Sequence, residues 1–204
     1  MENKKADDLI PVQQTGGESN TEAEVLLSNE QEAKLFFEVA CQRLVSINDW
    51  HQLAGPGTAA FFLCDAQGYE VQREPKVGDH FKIDIPGPGT VTGDGFDWVR
   101  IEAIEKVENP DEESVLIRVR PATNPQNERH DTAHFFTEEA TSNFVVRRQG
   151  LVVKAEVHGR NEKPNVKAET IVDKTRNAAV ATGAITAFSK LQWKSLVNGL
   201  VKLK

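Results

Sequence analysis

The hydrophobic and polar positions divide the chain into four stretches. Residues 1–22 are polar, rich in Gly, Gln, Asn and Glu, with too few apolar side chains to offset the entropy of ordering them. They read as a disordered tail. A short apolar run at residues 25–27 suits a first strand, and Ser28 with Gln31 makes a capping-box signature ahead of a helical pattern. Ala33, Phe36, Phe37, Ala40, Cys41, Leu44 and Ile47 fall on one face of that helix. Asn48 and Asp49 offer a break and a new cap before Trp50 and Leu53, and Gly55-Pro56-Gly57 closes the helical region.

The period then changes from 3.6 to 2, which marks a switch from helices to strands. Residues 59–66 form an apolar run broken only by Asp65. Phe81, Ile83 and Ile85 alternate with His80, Lys82 and Asp84, and Val99, Ile101 and Ala103 alternate with Arg100 and Glu102. Val115, Ile117 and Val119 alternate with Arg118 and Arg120, residues 143–148 make a mixed strand, and Val153, Ala155 and Val157 alternate with Lys154, Glu156 and His158. Such alternation predicts an antiparallel sheet with one apolar and one wet face. Turn chemistry separates the strands at Ala66-Gln67-Gly68, Val77-Gly78-Asp79, Gly87-Pro88-Gly89, Asn109-Pro110-Asp111 and a tight hairpin at Gln149-Gly150. Pro164 breaks the sheet. Beyond it, Ala178, Ala181, Ile185, Phe188, Leu191, Leu196 and Leu200 recur as in a long amphipathic helix. Ala178, Ala179, Ala181, Gly183, Ala184 and Ala187 give its first half little bulk, so this half either packs close to the sheet or leaves space there.

Composition bounds this picture. A chain of 204 residues and 22.6 kDa can bury one sizeable core, so residues 23–204 read as a single α+β domain. The net charge of −7 argues against a general nucleic-acid binder. It is unevenly spread: residues 163–204 hold eight basic residues against Glu169 and Asp173, leaving the acidic excess to the rest. The basic helix either meets an acidic partner or anionic lipid, or complements the acidic domain it belongs to. No apolar run is long enough for a bilayer span, no secretory h-region opens the chain, and Cys41 and Cys64 lie in apolar stretches that suit free thiols. The expected location is cytoplasmic.

The order of strand, helix pair, six strands and long final helix resembles the helix-grip fold of the superfamily that includes START lipid-transfer domains, Bet v 1 allergens and polyketide cyclases. Residues 24–27, the helix pair over 29–53 with Trp50 near its end, and the helix over 170–203 carry the likeness, which extends over residues 22–203. The resemblance implies a curved antiparallel sheet of six or seven strands wrapped around the C-terminal helix, with a cavity for an apolar ligand. Two features depart from it, a long polar insertion at residues 121–140 and an extended connection at 85–96. A small β-barrel seeded at Val77-Gly78-Asp79 is the competing architecture.

The candidate ligand-binding residues are Phe81, Ile83, Val99, Ile101, Ile117, Val119, Val153 and Ala155 on the inner sheet face, with Ala181, Ala184 and Phe188 on the final helix. An almost wholly apolar face suits binding, whereas catalysis needs convergent acid, base or nucleophile groups. The expected function is therefore non-catalytic binding of a small apolar molecule between sheet and C-terminal helix. No cofactor is implied. His130 and His134, four apart around Asp131, lack a third metal ligand at recognisable spacing and read as a solvated loop. Arg118, Arg120, Arg147, Arg148 and Arg160 read as an outer surface paired with carboxylates, and the polar run 158–162 as the edge of a cavity mouth. Two other functions stay open. One is an interaction or assembly role through residues 121–140 or the basic helix. The other is a cyclase or hydrolase using Cys64, Asn143, Arg176 or Asn177.

Overall fold

The computed structural model describes residues 5–86, 93–110, 112–127, 131–165 and 177–203, without the side chains of 177–187. The fold is α+β. Strand β1 (Gly17–Leu26) leads to α1 (Glu30–Val45), a 3-10 turn (Ile47–Asp49) and α2 (Trp50–Ala54). Six strands follow: β2 (Ala60–Cys64), β3 (His80–Asp84), β4 (Asp97–Glu108), β5 (Glu113–Pro121), β6 (Thr141–Gln149) and β7 (Val152–Glu162). Helix α3 (Asn177–Leu200) ends the chain. The sheet order is β1-β7-β6-β5-β4-β3-β2, antiparallel throughout. A barrel would need β1 to pair with β2, and these two stand at opposite edges.

Two local details differ from expectation. Helix α1 is capped by Asn29, whose side chain accepts from the Glu32 amide at 2.9 Å, one residue later than the Ser28 signature. Asn29 is the residue that takes up extended backbone before the first helical turn. In β4 a bulge at Glu102 lies between Ile101, opposite Val119, and Ala103, opposite Arg118. The extra residue reverses the alternation, so Ile104 and Lys106, not Ala103 and Glu105, share a face with Ile117 and Val115.

The helices close one face of the sheet. Helix α1 crosses β6 and β7, while α3 lies on β1 and β7 and against α2. The last turn of α3 meets the end of α2 at Gly199, where a Cβ would overlap the Leu53 carbonyl. Arg43 of α1 completes this junction, donating to the carbonyls of Leu200 and Lys202, each at 2.9 Å. A cation at a helix C-terminus is expected, yet it comes from another helix and not from Lys202.

The other face of the sheet is covered as well. The expected tail proves ordered from Lys5 onward: β1 starts at Gly17, and residues 5–16 run across the outer face. Ala6 is fully buried and its N–H donates to Glu112 at 2.9 Å, while Arg118 donates to the Leu9 carbonyl at 2.6 Å. Arg147 anchors the segment, pairing with Asp7 at 2.5 Å, Glu156 at 2.8 Å and Glu112 at 3.4 Å. Apolar packing joins these polar contacts, with Ala6, Leu9 and Ile10 resting on Leu116 and Val145, but the segment is too poor in apolar residues for hydrophobicity alone to foretell its order. Arg118, Arg120, Arg147 and Arg160 face outward as expected, Arg147 buried there, whereas Arg148 shares the inner face with Val146 and pairs with Glu113.

Residues 121–140 form no free loop among their described part. Trp98 donates to the Ala133 carbonyl at 2.7 Å and accepts from Ala122 at 2.9 Å, which seats Ala133 on Cys64 and Trp98. Beneath this cover Asp97 is buried, its only described partner being the Phe135 amide at 3.4 Å, and burial pushes its carboxyl up from 3.8 to about 7.

Two predictions follow from this packing. Gly199→Ala should cost about 1–3 kcal/mol of stability, because the α2–α3 contact must open, and urea denaturation reads this directly. The folded state holds the Asp97 proton at pH values where the unfolded chain has released it, so stability falls as pH rises from about 4 to about 7. Asp97→Asn should remove that part of the pH slope, measured by denaturation across the same range.

Candidate functional site

The interior between sheet and helices is built around aromatic rings. Trp50, in the first turn of α2, is fully buried and donates its indole N–H to the Leu44 carbonyl at 3.1 Å. Phe61 of β2, Phe81 of β3 and Phe144 of β6 surround it with centroids 5.3, 5.8 and 4.8 Å away. Trp193 of α3 closes the group, 5.2 Å from Phe144 and 6.1 Å from Phe61. Along the half of α3 whose side chains are described, these two indoles fill the space between helix and sheet.

The expected ligand-binding residues divide accordingly. Phe81, Ile83, Val99, Ile101, Ile117, Val119, Val153 and Ala155 do share the inner face, and all eight are buried in one core cluster. Phe188 is half-buried at its edge. Ala181 and Ala184 lie among the side chains outside the described set. Of the nine that are described, none lines either of the two clefts considered below.

The first of these clefts, about 330 Å³, opens on the inner side of the sheet beyond α1. Phe37, Cys41 and Val45 stand at successive turns of α1 and form one wall. Ile104 and Val115 form the other, and Pro75 of the β2–β3 connection closes a side. The β4 bulge explains this wall: without the extra residue, Ile104 and Lys106 would face the outer surface. Periodicity in the sequence assigns the opposite phase, so the site was hidden from it.

The rim of the cleft is charged. Glu38, Glu74, Glu108 and Glu113 line it, against Lys106 as the one cation among its lining residues. Glu113 is held by Arg148 at 2.6 Å. Cys41 lies within, and burial pushes its thiol up to about 12, which leaves it protonated and unreactive at neutral pH. The arrangement offers an apolar floor with an acidic mouth.

The residues considered for catalysis or metal binding lie elsewhere. Asn143 faces outward, donating to the His158 carbonyl at 3.0 Å and accepting from Arg118 at 3.2 Å. Cys64 is buried among Trp98 and Ala133, and its thiol is raised by burial to about 11. Arg176 and His130, and the side chain of Asn177, lie outside the described residues. His134 is buried and stacked on Phe135 at 4.3 Å, with Nδ1 accepting from the Phe136 amide at 2.9 Å. Burial moves it down to about 3, so it is neutral. Within the run 158–162, His158 bonds Glu156 at 2.9 Å and Arg160 donates to Asn20 at 2.9 Å, both on the outer face.

A strand, a helix pair, a six-stranded antiparallel meander that returns to pair with β1, and a long helix across the result define the architecture. The chain has the helix-grip fold of Bet v 1-like proteins. No protein-family model and no curated protein matches the chain. Among solved structures it is similar to a hypothetical protein from Helicobacter pylori, at 13% identity over 90% of this chain and 87% of that one, with a TM-score of 0.49. A major latex-like protein from Panax ginseng matches at 16% identity over 87% and 99% of the two chains, with a TM-score of 0.35. Norcoclaurine synthase from Thalictrum flavum matches at 13% identity over 96% and 98%, with a TM-score of 0.33.

The aromatic group yields a direct expectation. Trp50→Ala should destabilise the protein by about 3–5 kcal/mol, since an indole touching three strands leaves a void that the sheet cannot close. Denaturant unfolding measures the loss.

Proposed function

We propose that this protein binds a small, largely apolar molecule without transforming it, in the cleft between α1 and the β4–β5 hairpin. The observation that carries this reading is the 330 Å³ cleft itself, walled by half-buried Phe37, Cys41, Val45 and Ile104. Its size is near the lower end of the range for small-molecule pockets, and apolar walls with a polar rim are their usual chemistry. The buried inner-face residues from Phe81 to Ala155 then serve as the rigid backing of the site. The acidic mouth favours a neutral or cationic molecule over an anionic one, because Glu38, Glu74 and Glu108 outnumber Lys106 even with Glu113 paired to Arg148.

Fluorescence of a neutral apolar dye, phenylnaphthylamine, tests the proposal, with the anionic anilinonaphthalene sulfonate for comparison. The neutral dye should bind more tightly. Cys41→Trp, which places an indole in the cleft, should weaken its binding by about tenfold or more. Phe188→Ala should leave it unchanged. The reverse pattern would move the ligand beneath α3. Failure of the neutral dye to bind, with a defined oligomer by light scattering, would favour the assembly role instead.

A further inference from the structure

Residues 131–137 form a strap between the start of β4 and the segment that follows β7. On one side the Trp98 amide donates to the Ala133 carbonyl at 2.7 Å, and the Ala133 amide to the Ala122 carbonyl at 2.9 Å. On the other side the Thr137 amide donates to the Lys163 carbonyl at 2.9 Å and the Asn165 amide to that of Phe135 at 2.8 Å. The Asn165 side chain adds bonds to the carbonyls of Thr132 and His134 at 3.1 and 3.0 Å. The second cleft, of about 430 Å³, lies on the outer face against this strap, with Ala122 and Glu138 in its lining beside Arg100 and Arg120.

One group under the strap is out of keeping with a permanent cover. Asp97 is 5% exposed, on the inner face with Val99 and opposite Ile83. The Phe135 amide of the strap, at 3.4 Å, is its one hydrogen-bond partner among the described residues. The charged and titratable groups around it are engaged elsewhere or turned to solvent. On β3, Lys82 pairs with Glu70 and Asp84 is exposed; ahead of β4, Asp94 accepts from Asn124. On the strap Asp131 is exposed and His134 is neutral, and after β7 Lys163 pairs with Glu139. No cation among the described residues therefore offsets a negative charge at Asp97. Its hold on a proton reflects burial, opposed by the Phe135 bond alone. A carboxyl so placed must keep its proton or reach water.

We infer that residues 131–137 are a proton-locked lid, closed while Asp97 carries its proton and swung away from the sheet as Asp97 ionises. Opening gives the carboxylate to water. It also uncovers the contact of Ala133 with Trp98 and Cys64 and widens the outer cleft along Ala122. The closed lid raises the Asp97 carboxyl from 3.8 to about 7, so opening grows about tenfold per pH unit between these values and levels off above the upper one. The lid is firmest in acid and loosest at neutral pH and above. Its opening is distinct from global unfolding, because the bonds that hold the strap end at Trp98, Ala122 and residues 163–165 and leave the ladders of β5, β6 and β7 intact. It lies at the opposite end of β4 from Ile104, so it does not rest on the apolar cleft.

Amide hydrogen exchange of the full chain, followed by NMR with and without urea below the unfolding transition, tests the lid. Once the intrinsic pH dependence of exchange is removed, the Trp98, Ala133 and Asn165 amides should exchange about fiftyfold faster at pH about 7 than at pH about 5. Urea should leave their exchange unchanged while it speeds that of amides inside β6 and β7. The Asp97 carboxyl carbon should titrate over the same range. Asp97→Asn should flatten the profile at the slow, acid value. Asn165→Ala, which removes the bonds to Thr132 and His134, should speed strap exchange at every pH and keep the slope. Four results would overturn the inference: strap amides that share the urea response of β6, a flat profile in the native chain, an Asp97 carboxyl that titrates near its ordinary 3.8, or exchange indifferent to Asn165→Ala. A slope that persists in Asp97→Asn would assign the proton to another group and overturn it equally.

Discussion

Trp50 is the contact on which the interior depends. It belongs to a helix of five residues, too short to persist without tertiary support. Its ring packs on β2, β3 and β6 at once, and its N–H ties it back to the end of α1. One side chain therefore sets the path from α1 into α2 and the curvature of the strands beneath. Helix α3 follows from it, because α2 offers the Leu53 carbonyl against which Gly199 rests, and Trp193 completes the ring cluster. With that volume occupied, the open space between helices and sheet among the described residues falls at the margin, beside α1.

The sheet is enclosed on both faces by different means. Inside, apolar burial dominates. Outside, the cover is the N-terminal segment and residues 121–140, held by charged and backbone contacts together with two small apolar clusters, at Ala6 and at Ala133. Arg147 sits among three carboxylates, and His158 bonds one of them, Glu156. The Arg147 hydrogen bond holds the Asp7 carboxyl below its ordinary range, and, against the cost of burial, the His158 hydrogen bond with the Arg147 charge does the same for Glu156. Ionic clusters of this kind add little net stability compared with apolar packing, but they fix which partner is accepted.

Much of the architecture was legible in the sequence, and the reasons for the exceptions are physical. Alternation along β3, β5 and β7 revealed the inner face, because a face buried against helices admits few polar residues. The helix pair, its break before Trp50 and the Gln149-Gly150 hairpin were legible for similar reasons. Three things were not. The bulge in β4 leaves no mark in composition, since either phase places apolar residues on one face. The order of residues 5–16 arises from contacts with residues more than 100 positions away, the Asp7–Arg147 pair and the packing of Ala6 on Leu116 and Val145 among them, which no local pattern encodes. The filling of the interior is a question of volume and ring orientation: periodicity placed Phe81 and Phe144 correctly but could not say that Trp50 and Trp193 would reach them. The inner cleft was missed with the bulge, and the outer one because His80, Arg100 and Arg120 in its lining meet only once β3, β4 and β5 are paired.

The pairing of β1 also has a consequence for how the chain reaches its final form. Its only strand neighbour is β7, with Ala23 opposite Ala155, and its flanking segment rests on β5, β6 and β7. The first strand to leave the ribosome is thus among the last to be satisfied. Until residues beyond Leu151 have emerged, its backbone amides and carbonyls lack a ladder, and loop closure over most of the chain must precede their reward. A fold of this topology assembles its middle strands first and recruits its own beginning at the end, so the polar character of β1, with Glu18, Glu22 and Glu24 exposed, keeps an unpaired edge soluble during that wait.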